Sequence, residues 1–66
     1  MELEVNGAVT ALPEGANLSD LVAQLGLTGK RIAIEVNQEI IPRSQHPTYQ
    51  LNAGDKVEVV HAIGGG

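Results

Sequence analysis

Glu2-Leu3-Glu4-Val5 alternates polar with apolar positions, and after Asn6-Gly7 the run from Ala8 to Leu12 stays compatible with an extended chain. Alternation of this kind marks a half-buried strand, and an Asn-Gly pair between two such runs is the strongest short-range signal for a hairpin with a type I′ turn. The chain is therefore predicted to open with two antiparallel strands, which Pro13-Glu14-Gly15 then breaks. From Leu18 the period changes. Leu18, Leu21, Val22 and Leu25 recur at i, i+3, i+4 and i+7, the apolar stripe of an amphipathic helix. Asn17 stands at its N-cap and Asp20 in its first turn, where a carboxylate suits the helix dipole. Gly26 occupies the place of a left-handed C′ residue, with Leu27 set for the hydrophobic contact that accompanies it. A helix of about three turns is expected.

Period two returns at Ile32, Ile34 and Val36, which alternate with Ala33 and Glu35. Asn37-Gln38 reads as a turn into Ile40-Ile41, giving a third strand and a short fourth that Pro42 confines to an edge or an end. Ser44 to Gln50 has no clear period, and Pro47 with its polar neighbours predicts a loop with room for a single helical turn. Asn52-Ala53-Gly54-Asp55 is a turn cluster, after which Val57 and Val59 alternate with Lys56 and Glu58 in a final strand. Hairpin, helix, strand, short strand, strand is the order of an α+β roll, one mixed sheet with a helix across one face. No linker, repeat or second domain interrupts it, so residues 1–66 are read as one domain, with 63–66 as a flexible glycine tail.

Composition narrows the function. With 66 residues the core is small, because a domain of this size buries only about 60% of the surface its unfolded chain exposes. Zero cysteines remove thiolate metal sites, disulfides and cysteine nucleophiles together. A net charge of −4 and a single aromatic, Tyr49, leave nucleic acid without its usual phosphate and stacking partners. No apolar run approaches the roughly 18 residues that span a bilayer, and Glu2 and Glu4 are the wrong charge for a signal peptide. The expected location is the cytoplasm.

The most informative stretch is Gly64-Gly65-Gly66, which follows the last strand almost without a spacer. Glycine has no Cβ, so such a segment can thread a narrow tunnel that side chains would block. From Ile63 to Gly66 an extended tail reaches about 13 Å, enough to enter a partner's active site from a docked body. The bland alternative is a frayed end or an engineered scar. Linkers usually mix in serine and run longer, which favours the delivery reading.

The order of elements, with a long last strand running into glycines, resembles the β-grasp fold of ubiquitin and its bacterial relatives over the whole chain. More narrowly, Ile34-Glu35-Val36-Asn37-Gln38-Glu39-Ile40-Ile41-Pro42-Arg43, then Gly54-Asp55-Lys56-Val57-Glu58-Val59-Val60, then Ala62-Ile63-Gly64-Gly65-Gly66 are similar to the ThiS family of sulfur carriers in thiamine biosynthesis. His46 departs from relatives that carry tryptophan there, and Gly64 replaces a small residue. The resemblance implies that the Gly66 carboxylate is joined to AMP by a ThiF-type adenylyltransferase using ATP and magnesium. A persulfide sulfur donor then leaves a thiocarboxylate, which is delivered to a ThiG-type thiazole synthase. This agrees with the chemistry the residues permit, since an ionised carboxylate repels nucleophiles and must first be activated. Gly64 and Gly65 would thread the partner's active site. The chain would then be a recycled co-substrate, binding no cofactor itself and supplying no catalytic side chain. Alternatives are a carrier for molybdopterin or another sulfur pathway, an isopeptide-forming modifier, or a non-covalent β-grasp binding module.

Other constellations are weak. His46 and His61 are the only imidazoles and lack metal-ligand spacing, so no metal is expected. His61 is read as a half-exposed strand residue, and Ser19 and Ser44 sit in no nucleophile-elbow context. Val60 falls outside the inward rhythm of Val57 and Val59, which places it near Ile40 or Ile41 on the opposite side of the sheet. Ile40, Ile41 and Val60, with Arg43 for orientation, form a candidate partner-docking patch.

Overall fold

The computed structural model describes residues 1–61 of the chain; the expectation of a flexible tail at 63–66 falls outside them. Five strands build one mixed sheet: β1 (Glu2–Val5), β2 (Ala8–Ala11), β3 (Ile32–Val36), β4 (Glu39–Ile41) and β5 (Lys56–His61), in the spatial order β2-β1-β5-β3-β4. Only β1 and β5 run parallel; every other neighbouring pair is antiparallel. The last strand in sequence is thus the central strand in space.

Both hairpins turn through left-handed residues, Asn6 (φ 50°) with Gly7 (φ 83°), and Asn37 (φ 51°) with Gln38 (φ 71°). Two consecutive positive φ angles match the right-handed twist of the flanking strands, and asparagine tolerates that region better than most residues. The predicted alternation sets one face of the sheet. Leu3, Val5, Ile34, Val36, Ile41, Val57 and Val59 point to the same side and are buried.

Helix α1 (Leu18–Gln24) covers that face, with Leu18 and Leu21 fully enclosed. Burying each leucine is worth about 1.5–3 kcal/mol, a large share for so small a domain. Asn17 caps the helix through a reciprocal box: its Oδ1 accepts from the Asp20 N–H, and the Asp20 carboxylate accepts from the Asn17 N–H, both at 2.9 Å. At seven residues α1 is nearer two turns than the three expected. Leu25 is the C-cap, and Gly26 (φ 72°) follows in the left-handed conformation. The Gly26 and Leu27 N–H groups donate back to Ala23 and Val22, closing the helix one turn early. Leu25 is consequently exposed instead of completing the buried stripe.

Arg43–Thr48 forms two turns of 3₁₀ helix where a loop with one turn was expected. The residues just after it are tied to the entry of α1 by Leu18 N–H to Tyr49 O and Leu51 N–H to Ala16 O. His46, expected in a loop, is buried at 6% exposure, and its Nε2 donates to the Ile41 carbonyl at 3.1 Å. Among the described residues no helix is long and apolar enough to cross a membrane.

Candidate functional site

The site is built around β5, because that strand carries the chain out of the sheet toward the glycines. On one side β3 accompanies β5 from Val36↔Val57 to Ile32↔His61. On the other, β1 stops early, pairing only Glu4↔Lys56 and Val5↔Val57. Asn6 takes over where β1 ends. Its N–H donates to the Val57 carbonyl at 2.9 Å, and its side-chain amide bonds both backbone groups of Val59. At the start of β5, on the β3 side, Asn37 does the same for Lys56. The Asn37 N–H donates to the Lys56 carbonyl at 2.8 Å, while the Lys56 N–H donates to Asn37 Oδ1 at 3.0 Å. The two turn asparagines thereby grip β5 from opposite edges, and the strand's direction is fixed to the body up to His61. Gly64, Gly65 and Gly66 lie outside the described residues.

The sheet face away from α1 presents the outward half of the alternation. Here Val60 lies opposite Ala33, and Glu35 lies between Glu58 and Ile40. Ile40 is 70% exposed and Val60 57%, whereas Ile34, Val36, Ile41, Val57 and Val59 of the same three strands are buried. Ala33 also faces out, a member of the patch that its own alternation with Ile32 and Ile34 could have revealed. Ile41 corrects the sequence reading: it pairs with Ile34, points into the core and is 6% exposed, so it cannot contact a docked partner. Consecutive strand residues face opposite ways, so Ile40 and Ile41 could not both belong to one surface. Arg43 is exposed, with its Nη2 donating to the Lys30 carbonyl at 3.4 Å.

Electrostatically, Glu35 and Glu58 stand directly across from each other. Like charges so placed weaken a strand pair by up to about 1 kcal/mol. They line a shallow cleft of about 280 Å³ with Asn37, Gln38 and Lys56. The described residues gather no cluster of three or more metal-ligating His, Asp or Glu side chains. His61 is exposed on β5, in keeping with the half-exposed strand position expected, and Ser19 lies in α1 while Ser44 lies exposed in the 3₁₀ segment. Ser19 and His46 line one cleft, but among the described residues they share no hydrogen bond, His46 Nε2 being committed to the Ile41 carbonyl; the outward face beside β5 exposes Ala33, Ile40 and Val60.

A mixed five-stranded sheet with a helix across one face and its last strand central defines a β-grasp, ubiquitin-like protein. A solved ThiS protein of Geobacter metallireducens has the same architecture, with a TM-score of 0.86 at 29% identity and complete coverage of both chains. The ThiS family model matches residues 2–66, and the chain belongs to that family. The sulfur carrier protein ThiS of Bacillus subtilis is 34% identical over 65 residues, which is 97% of this chain and 98% of that protein. A thiazole synthase of Paramagnetospirillum magneticum is 36% identical over 66 residues, all of this chain. The chain spans only 20% of that synthase's length.

Proposed function

We propose that this chain is a sulfur carrier of thiamine biosynthesis and that Gly66 bears the sulfur. The observation that carries the reading is the nearly end-to-end match to the Bacillus subtilis sulfur carrier. In this mechanism a Gly66 carboxylate oxygen attacks the α-phosphorus of ATP in a ThiF-type adenylyltransferase, and pyrophosphate leaves with magnesium. A persulfide sulfur then attacks the acyl carbon, AMP departs, and a thiol cleaves the remaining S–S bond to leave the thiocarboxylate. A ThiG-type thiazole synthase takes up that sulfur. The similarity to thiazole synthases supports this partner, because a stretch like this chain makes up a fifth of a protein bearing that name.

The body's part is positional. Ile40 and Val60 dock the carrier while Arg43 sets its orientation, and Gly64 and Gly65 thread the partner's active site because neither carries a Cβ. The chain acts as a co-substrate, and ATP and magnesium are held by the activating partner. Intact-mass spectrometry tests the reading after incubation with ATP, magnesium, a ThiF-type adenylyltransferase and a persulfide donor. A gain matching one oxygen-to-sulfur exchange, absent from a chain lacking Gly65 and Gly66, is expected. No gain with an adenylyltransferase competent on another carrier would exclude sulfur carriage.

A further inference from the structure

Charge is distributed unevenly along the molecule. Of the four Lys and Arg residues, three (Lys30, Arg31 and Arg43) converge on the end of the sheet where the chain leaves it. Arg31 immediately precedes Ile32, which pairs with His61, the last residue of β5. Ile41 pairs with Ile34, so continuation of the chain through Pro42 brings Arg43 back toward the same end. The Arg43 guanidinium confirms the convergence by reaching the Lys30 carbonyl at 3.4 Å. All three are exposed, and among the described residues none lies within 4.0 Å of a carboxylate.

The eight acids lie elsewhere. Glu2, Glu4 and Asp55 cluster where β5 begins, since Glu4 pairs with Lys56 and its N–H donates to the Asp55 carbonyl. Glu39 opposes Val36 at the far end of the β3–β4 hairpin, and Glu35 and Glu58 sit mid-sheet. Glu14 is 4.0 Å from the Met1 ammonium, and Asp20 caps the start of α1. A chain of net charge −4 therefore carries a locally positive collar beside the end of β5.

We infer that this collar of Lys30, Arg31 and Arg43 docks against an acidic protein rim at the mouth of the site that receives the tail. The inference rests on the carrier function proposed above and names the chemistry of the partner surface. Facing an acidic rim, this carrier is repelled through most of its surface and attracted only through the collar, so the field selects the tail-first approach. A protein rim fits better than a nucleotide. The cations line the β3–β4 side of the end of β5 instead of converging on one cavity, and only Arg43 of the three lines the cleft beside His46. Val60 and Ala33 occupy the strand positions next to His61 and Ile32, so the collar adjoins the apolar patch at the end of β5.

The test is steady-state pyrophosphate release by a ThiF-type adenylyltransferase, with the full-length carrier as varied substrate across a range of NaCl concentrations. Exposed charges are screened beyond about 10 Å at 0.1 M salt, so wild-type kcat/KM is expected to fall about tenfold or more from low to high salt. The double substitution Lys30→Glu with Arg31→Glu should lower kcat/KM about tenfold at low salt, through KM and not kcat, and flatten the salt dependence. Lys56→Gln, at the opposite end of β5, should leave both parameters unchanged, with folding of each variant checked by circular dichroism. Release that ignores salt and the double substitution overturns the collar while sparing the carrier function. ATP alone shifting the Arg31 and Arg43 amide resonances of the free carrier would replace the protein rim with a phosphate site. No carrier-dependent release at any salt would overturn the carrier function and the collar with it.

Discussion

Asn6 and Val59, 53 residues apart in sequence, are joined by a two-point bond: the Val59 N–H donates to Asn6 Oδ1 at 2.8 Å, and Asn6 Nδ2 donates to the Val59 carbonyl at 3.1 Å. A carboxamide offers the same donor and acceptor as a peptide group. It therefore supplies the next rung of a ladder whose strand, β1, has already turned away.

Substituting Asn6 separates the turn from the rung. Asn6→Gly keeps the left-handed backbone and removes only the side-chain bonds, so a loss of about 1–3 kcal/mol is expected, since a typical net bond contributes about 0.5–1.5 kcal/mol. Asn6→Ala should lose more, because alanine also resists a φ of 50°. Urea denaturation measures both. In the glycine variant, amide exchange at Val59 should accelerate beyond the change in global stability; equal protection in the two proteins would show that the rung contributes nothing local.

Ile40→Asp and Val60→Asp test the docking face. Both side chains are well exposed, so stability should move by no more than about 0.5 kcal/mol. Placing a charge in an apolar contact should weaken affinity for a ThiF-type or ThiG-type partner about tenfold or more, roughly 1.4 kcal/mol. Calorimetric titration reads the affinity, and undiminished binding by both variants would remove this face from the interface. Ile41→Asp, by contrast, should prevent folding, because its side chain lies in the core.

His46 calls for a structural substitution. His46→Leu removes the bond from Nε2 to the Ile41 carbonyl at a buried position, at a cost of about 0.5–1.5 kcal/mol. Thermal unfolding should record the loss. Thiocarboxylate formation well below the melting temperature should be unchanged, and a slower reaction from a fully folded variant would assign His46 a part in partner binding.

Much of the fold was legible because its signals are local. Asn6-Gly7 announced its hairpin, the stripe from Leu18 announced α1, and Asn17 and Gly26 marked its ends. The helix came out shorter than expected because Gly26 closed it before Leu25 could join the buried face. His46 was missed for a different reason. A 3₁₀ segment has no apolar period to read, and its burial comes from the loop's attachment to α1.

The sequence by itself determined which residues alternate, where the chain turns and that glycines follow the last strand, since each depends on the backbone preferences of near neighbours. Only the tertiary structure decided that β5 is central, that Ile40 faces out while Ile41 faces in, and that Lys30, Arg31 and Arg43 meet beside the end of β5. Strand order and register arise from burying one face of the sheet under α1, a requirement satisfied by residues distant in sequence. The grip of Asn6 on Val59 belongs to the same category, because a turn asparagine reads alike whether its side chain meets solvent or a strand 53 residues away.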